Sequence, residues 1–460
     1  MSVSRRFFLR SAASVTVGFA GLQMLTSKGV SATNTAKLTE GYGPLRKDPN
    51  GILDLPDGFS YKVISKVGDS MNDGFLVPGL PDGMASFPGP DGKTILVRNH
   101  EITADPTEIG PFGRQNERFA NLPAQSCFDA GRGKTPSLGG TTNVLFDTET
   151  QEVLHQHLSL TGTVRNCAGG PTPWNTWITC EETVQRADDQ YEQDHGWNFE
   201  VPAYISYQPV EPKPIKDMGR FNHEAVAVDP RTSIVYQTED RGDGLIYRYI
   251  PNSPGNLLDG GTLQALAVRG RQSLDTRNWE HPNLIAVGEE LAVEWIDLEE
   301  IDSPNDDLRF RGFDAGAARF ARGEGMWTGE DGIYFACTSG GHAERGQIWK
   351  YIPSPAEGES DEDNQPGRLV LFCEPNDPGL VDNADNLCVA PWGDLMLCED
   401  GSGEQYLVGI NTQGEVYKFG YNAVSESEFA GVNFSPDGST LFVNIQSDGL
   451  TLAITGPWQA

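Results

Sequence analysis

Three words in this chain set a thiol or a carboxylate at a near-constant distance ahead of a pair of acids. Cys167 lies 14 positions before Glu181, which is followed by Glu182. Glu224 lies 15 positions before Glu239, followed by Asp240, and Asp385 lies 14 before Glu399, followed by Asp400. Glu101, at the end of Ile95–Glu101, and Glu324, at the head of Glu324–Trp327, occupy corresponding places in two further segments. A single Glu–Asp pair is ordinary solvated turn chemistry. Acids at matching positions in five segments are a set, and a set of converging carboxylates repels itself unless cations are bound. Carboxylate oxygens suit Ca²⁺, whereas a thiolate among them suits a transition metal such as iron.

Two further words, Asn99-His100-Glu101 and Asn222-His223-Glu224, add histidine. The chain has seven His and no His-x-x-x-His spacing, so a His-rich zinc centre does not describe this cluster. Both His read as supports, and Glu224 reads as the ligand.

Those acids need elements that bring them together. Each segment has the same plan: an opening strand, a turn, a second apolar strand with a polar end, and a closing strand. Met84–Phe87 leads through Pro90-Asp91-Gly92 to Ile95–Glu101, closed by Asn143–Phe146. Cys167 leads to Trp177–Glu182, closed by Ala203–Ile205, and Glu224–Asp229 leads to Val235–Asp240, closed by Leu245–Tyr249. Units opening at Glu324, Asp385 and Phe429 follow. Such self-similarity predicts an all-β fold, a six-bladed β-propeller with long face loops. Tyr61–Ile64 is placed to close the ring by joining the last unit, and Asp188–His195, Pro251–Asp306 and Pro353–Pro366 read as loops. Consecutive antiparallel strands put first-strand starts, second-strand ends and third-strand starts on one face. Cys167, Glu224, Glu324, Asp385, the second-strand acids and Asn143 are therefore expected around one mouth of a central channel.

Ser4-Arg5-Arg6-Phe7-Phe8-Leu9-Arg10 followed by the apolar run Ala12–Leu25 is a twin-arginine export signal, with small residues for cleavage near Ser31-Ala32. The expected organisation is a signal peptide over 1–32 and one propeller domain over 33–460. The run is shorter than the roughly 20 residues of a spanning helix. The mature protein is expected in the periplasm or outside the cell, in contact with the Tat export machinery but not with a membrane. The formal charge of −31 leaves no basic footprint for nucleic acid. Seven Cys leave at least one thiol unpaired; Cys180, Cys337 and Cys398 end apolar runs and read as core thiols.

The words Arg165-Asn166-Cys167-Ala168-Gly169-Gly170, Thr172-Pro173-Trp174, Cys180-Glu181-Glu182, Asn222-His223-Glu224-Ala225, Thr238-Glu239-Asp240-Arg241, Arg322-Gly323-Glu324-Gly325 and Asp385-Asn386-Leu387 resemble the PhoX-type alkaline phosphatases. The resemblance covers most of the chain after the leader, with Asn175 standing where the family commonly has Gly. It implies a monomeric propeller that hydrolyses phosphate monoesters with Fe³⁺ and Ca²⁺, by attack of a metal-activated oxo or hydroxo group on phosphorus. On that likeness Cys167, Glu224 and Glu324 hold iron, Glu181 or Glu182 bridges to calcium, and Asn143 and Arg322 contact the phosphate. A calcium-dependent propeller lactonase or esterase, or a non-enzymatic calcium-binding propeller, would share the acids but needs neither Cys167 nor Arg322.

Overall fold

Strand patterning dominates the chain, and the fold follows it. The computed structural model describes residues 36–459; the twin-arginine segment and its cleavage site lie outside them. Among the described residues there is one α-helix, Leu308–Asp314, and no helix long and apolar enough to cross a membrane. The rest is antiparallel strand, short 3₁₀ turns and loops. Residues from Thr35 onward form one compact unit.

The strands pair in chain order as meanders. Pro81–Pro88, Thr94–His100, Gly139–Asp147 and Glu152–Thr163 form one sheet, and Asn166–Pro171, Thr176–Glu181 and Asn198–Pro202 form a second. His223–Val228 begins a third meander, which Glu290–Asp297 links edge to edge with the meander begun by Gly323–Gly329. Ala384–Val389 begins the next, and Phe429–Phe434 the last. Strand Ser60–Lys66 pairs with Leu450–Thr455, so the front of the described chain completes the C-terminal sheet. The first strands of these meanders pack against one another in cyclic order, from Pro81–Pro88 round to Phe429–Phe434 and back. The arrangement is all-β and propeller-like.

The strands depart most from the sequence reading in four places. The first meander begins at Pro81 rather than Met84, and its third strand at Gly139 rather than Asn143. The third strand of the second sheet is Asn198–Pro202, not Ala203–Ile205. Pro251–Asp306 is not a plain loop, because it carries strands Gly261–Val268 and Glu290–Asp297. In the first of these, Leu263 and Ala265 alternate with Thr262 and Gln264 and are fully buried.

One hydrogen bond recurs around the ring. The residue after each second strand donates its N–H to the carbonyl just ahead of the matching first strand: Glu101 to Leu80, Glu182 to Arg165, Asp240 to Asn222, Thr338 to Arg322, Asp400 to Asn383 and Gln446 to Glu428. Each first strand then carries a β-bulge, between Pro81 and Met84, Asn166 and Gly169, His223 and Val226, Gly323 and Met326, Ala384 and Leu387, and Ala430 and Asn433. A bulge inserts one unpaired residue and re-aims its side chain. Asp82, Cys167, Glu224, Glu324 and Asp385 all fall within these irregularities.

The inner strands approach so closely that only small side chains fit between them. A narrow space behind the mouth is lined by Gly83, Ala168, Ala225, Gly325, Asn386 and Gly431. A Cβ on Gly83 would lie 2.5 Å from Ala168 Cα, and one on Gly325 would lie 2.7 Å from Asn386 Cα. Both obstacles are backbone of the neighbouring inner strand. Opposite ends of the chain also meet through apolar packing: the rings of Phe146 and Phe442 lie edge to face with centroids 5.3 Å apart. Replacing Gly83 by Ala is expected to destabilise the fold by about 2 kcal/mol or more, because two backbones must part. Thermal unfolding of the metal-free variant measures this; an unchanged melting temperature would show that the inner strands are not in tight register.

Candidate metal centre

Three of the second strands end in acidic pairs, and strand geometry gives the two members opposite tasks. Successive side chains point to opposite sides. The first member turns back into its own sheet. Glu181 accepts from the N–H groups of Val164, Gly196 and Trp197 and contacts His195 Nδ1 at 2.6 Å. Glu239 accepts from Leu245 N–H and the Tyr247 hydroxyl. Glu399 accepts from the N–H groups of Asp382 and Tyr406 and from Lys418 Nζ. These three carboxylates clamp the loops that enter each sheet. Glu181 and Glu399 spend both oxygens on local donors, whereas Glu239 spends Oε2 alone and keeps a buried Oε1 without a hydrogen-bond partner among the described residues; none of the three joins the ligand groups at the mouth that they were expected to join.

The second member faces the mouth. Glu182, Asp240, Asp400 and Glu101 do so, joined by the bulged residues. One oxygen of Glu182, one of Glu224 and Cys167 Sγ lie within 4.8 Å of one another. Glu224, Glu324 and Asp385 form a second such triple, so Glu224 belongs to both. Of the alternatives Glu181 and Glu182, the geometry selects Glu182. Asp82 and Glu428 complete the group and escaped the sequence reading. Asp82 was hidden by starting the strand at Met84. Glu428 precedes a strand whose inward position is Ala430. The offset of two residues between the recurring carbonyl and the bulged side chain, as in Arg165 to Cys167, would have found Asp82 beside Leu80.

Two guanidinium groups stand among these acids. Arg322 Nε donates to Asp240 Oδ1 at 2.7 Å, and its Nη2 donates to Glu324 Oε1 at 2.7 Å. Arg165, also missed, is its counterpart on another meander. It bridges Glu101, at 2.7 Å, and Glu182. Both arginines sit two residues ahead of a bulged side chain, and both have left-handed backbone, φ 53° and 56°. Asn222 Nδ2 steadies Glu182 Oε1 at 2.9 Å, and Gln446 Nε2 spans Asp82 and Glu101.

Asn143 does not join them. It pairs with Val97, while Gly140 pairs with His100 at the mouth, so it stands three residues, about 10 Å, down the strand. Its amide donates to the carbonyls of Pro202 and Tyr204. The expectation that Asn143 meets phosphate rests on a strand start at Asn143, and the strand starts four residues earlier, at Gly139. His100 and His223 are supports, with both ring nitrogens engaged.

Burial and mutual repulsion raise the carboxyl groups here. Burial pushes Glu182 up to about 8, opposed by the charge of Arg165 and aided by Glu101 and Asp240. Burial and Asp400 push Asp385 up to about 7. Burial and neighbouring acids raise Glu224, Glu324, Asp82 and Glu428 as well. The Cys167 thiol is raised by burial and then by Glu224 and Glu182. Such a group cannot ionise together on the strength of Arg165 and Arg322 alone. Buried oxygens and one sulfur, short of positive charge and converging within a few ångströms, fit bound cations.

The fold and centre define a propeller-like, metal-dependent hydrolase. The sequence model of the alkaline phosphatase PhoX family matches residues 40–148 and 137–449, so the chain belongs to that family and is a phosphatase. Among solved structures, PhoX of Pseudomonas fluorescens in complex with vanadate, a transition-state analogue, matches with TM-score 0.64 and 18% identity over 92% of this chain and 97% of that one. A gluconolactonase of Xanthomonas campestris matches with TM-score 0.40 and 10% identity over 90% and 98% of the two chains. No curated protein sequence matches the chain.

The split of roles makes a paired prediction. Glu182→Gln is expected to lower bound metal, measured by elemental analysis, while leaving the metal-free melting temperature nearly unchanged. Glu181→Gln is expected to lower that melting temperature, by about 1–3 kcal/mol of stability, because a buried acceptor of several N–H groups is weakened. The reverse pattern would exchange the two assignments.

His195 adds a pH dependence. Burial opposes its protonation, but the charge of Glu181 and hydrogen bonds to Asp129 and Glu181 prevail and raise it to about 9. The unfolded value is about 6.5. The protonated imidazole therefore contributes full stability below about 6.5, and that contribution is lost as pH rises through about 9. The metal-free protein is expected to lose about 3 kcal/mol across this window. In His195→Gln that part of the pH profile of denaturant unfolding should be flat; an unaltered slope would remove His195 from the account.

Proposed function

We propose that this protein is an exported, monomeric phosphatase that hydrolyses small phosphate monoesters at one mouth of a six-bladed propeller. The cyclic succession of inner strands and the recurring N–H···O bond support six blades. The twin-arginine segment supports export through the Tat machinery to the periplasm or beyond. The observation that carries the chemistry is the pair of triples sharing Glu224. Cys167, Glu182 and Glu224 offer sulfur with oxygen and suit Fe³⁺; Glu224, Glu324 and Asp385, with Asp82, Asp400 and Glu428 beside them, offer oxygen and suit both Fe³⁺ and Ca²⁺.

When bound, such cations supply Lewis-acid polarisation of phosphoryl oxygens. The chain's own residues position the ester. Arg322 is held flat by Asp240 and Glu324 through Nε and Nη2, and its Nη1 carries no bond to a described residue. That leaves a directed donor for a phosphate oxygen. The guanidinium is fixed before substrate arrives, so it needs no rearrangement as charge develops. Bulged backbone behind Cys167, Glu224 and Glu324 keeps the ligand atoms converged, and the narrow space lined by Gly83, Ala168 and Gly325 limits approach from behind.

The test joins metal content and activity on one sample. Protein purified without chelator is expected to contain iron and calcium and to hydrolyse a chromogenic phosphate monoester, with loss on chelation. Arg322→Ala should lower turnover on the order of 10²–10³-fold with metal content retained. Equal turnover would reject the role of Arg322, and zinc as the sole metal would reject the iron–calcium assignment.

A further inference from the structure

Five of the seven His residues are fully accounted for by position: His100, His195 and His223 are buried with both ring nitrogens engaged, and His281 and His342 lie elsewhere on loops. His155 and His157 are different. They stand two apart on strand Glu152–Thr163 and so project from one face of it. His155 uses Nε2 alone, toward the carbonyl of Ser206 at 3.2 Å. That carbonyl can only accept, so Nε2 carries the proton and Nδ1 keeps its lone pair. His157 Nδ1 is buried and has no hydrogen-bond partner among the described residues.

A third orphan lies across the sheet. Asn143 pairs directly with His157. Its Nδ2 is spent on the carbonyls of Pro202 and Tyr204, which fixes the orientation of the amide, and its Oδ1 is buried without a partner. Asn143 and His157 are each about 1% exposed. An unmet buried carbonyl oxygen and an unmet buried ring nitrogen on facing residues are costly and point to a missing partner or cation.

We propose that His155, His157 and Asn143 form a separate site for a divalent first-row transition-metal ion such as Zn²⁺ or Cu²⁺. The ring centroids of the two His are 5.3 Å apart, tilted at 55°. An ion about 2.1 Å from a ring nitrogen lies roughly 3.2 Å from that ring's centre, so two such rings subtend about 110° at a shared ion, a tetrahedral angle. Burial and the neighbouring His155 lower His157 to about 4, so its imidazole is neutral and ready to ligate. The Ser206 carbonyl that holds His155 is the outer-sphere acceptor such ligands use to fix their tautomer. Asn143 supplies a carbonyl oxygen, and a solvent molecule would complete four ligands. An ion here would clamp the segment Pro202–Tyr207 to the outer strands of the first sheet, away from the mouth.

The mouth offers only sulfur and oxygen, so nitrogen coupling isolates this site. The full mature chain, held in excess Ca²⁺, is titrated with Cu²⁺ alone and read by pulsed electron paramagnetic resonance. Wild type is expected to show imidazole nitrogen coupling, which disappears in both His155→Gln and His157→Gln. His155 lies nearer the surface, so its variant tests the site even if the deeper substitution unfolds the chain. Zn²⁺ should raise the wild-type melting temperature by more than it raises that of His155→Gln. Absence of nitrogen coupling in wild type, as a buried water filling the space would give, overturns the proposal, and so does coupling retained in both variants.

Discussion

Negative charge confined at the mouth is the constraint on which this molecule turns. Asp82, Glu182, Glu224, Glu324 and Asp385 are buried and Glu428 is half-buried, and all six are raised toward protonation, chiefly by desolvation and with further rises from neighbouring acids. Removing a carboxylate from water costs several kcal/mol, and placing another beside it adds to that. A chain that merely needed to fold would not assemble such a group. The arrangement makes physical sense only as a receptacle whose last component is positive charge, with Arg165 and Arg322 supplying part of it and bound cations the remainder. Family membership and this electrostatic deficit thus point to the same chemistry from independent directions.

Holding the acids together requires a scaffold that resists their repulsion, and the scaffold is made from their sequence neighbours. In each pair the first acid turns back to donors of its own sheet, fully in Glu181 and Glu399 and through one oxygen in Glu239, and the second is thereby aimed outward at the mouth. The recurring N–H···O bond ties that second residue to the chain entering the first strand. The bulge beyond it swings the next ligand inward. Close packing at Gly83 and Gly325 locks the inner strands behind. Ligand and anchor are adjacent in sequence, so neither can shift without the other.

This coupling explains what could be read from the sequence. Spacing between a first-strand start and a second-strand end reports the length of a hairpin, which depends little on detail, and it located Cys167, Glu224, Glu324, Asp385 and the acid pairs. Phase within a pair is another matter. When both members are acidic, as in Glu181-Glu182 and Glu239-Asp240, no polarity pattern says which faces the sheet; only the register of hydrogen bonds decides. A bulge compounds this by adding one residue to the count. A strand start at Met84 therefore hides Asp82, and a strand start at Asn143 puts that residue at an end it does not occupy. Arg165 lay in plain view two residues before Cys167, as Arg322 does before Glu324, but the equivalence appears only once both are seen on left-handed backbone. Asn175, where the family commonly has Gly, also has positive φ, 61°, and Asn tolerates that conformation better than other non-glycine residues.

A chain with a formal charge of −31 that acts on anions must overcome its own field. The two arginines cannot do so by number. They act by placement: Arg322 between Asp240 and Glu324, Arg165 between Glu101 and Glu182, each held by acids that would otherwise face the substrate directly. An arginine paired in this way engages two carboxylates along one edge, and in Arg322 the other edge keeps Nη1 without a bond to a described residue. The same acids that would hold cations at the mouth thus also orient Arg165 and Arg322, so the groups that would bind metal and the groups that would meet a phosphate are fixed by one another.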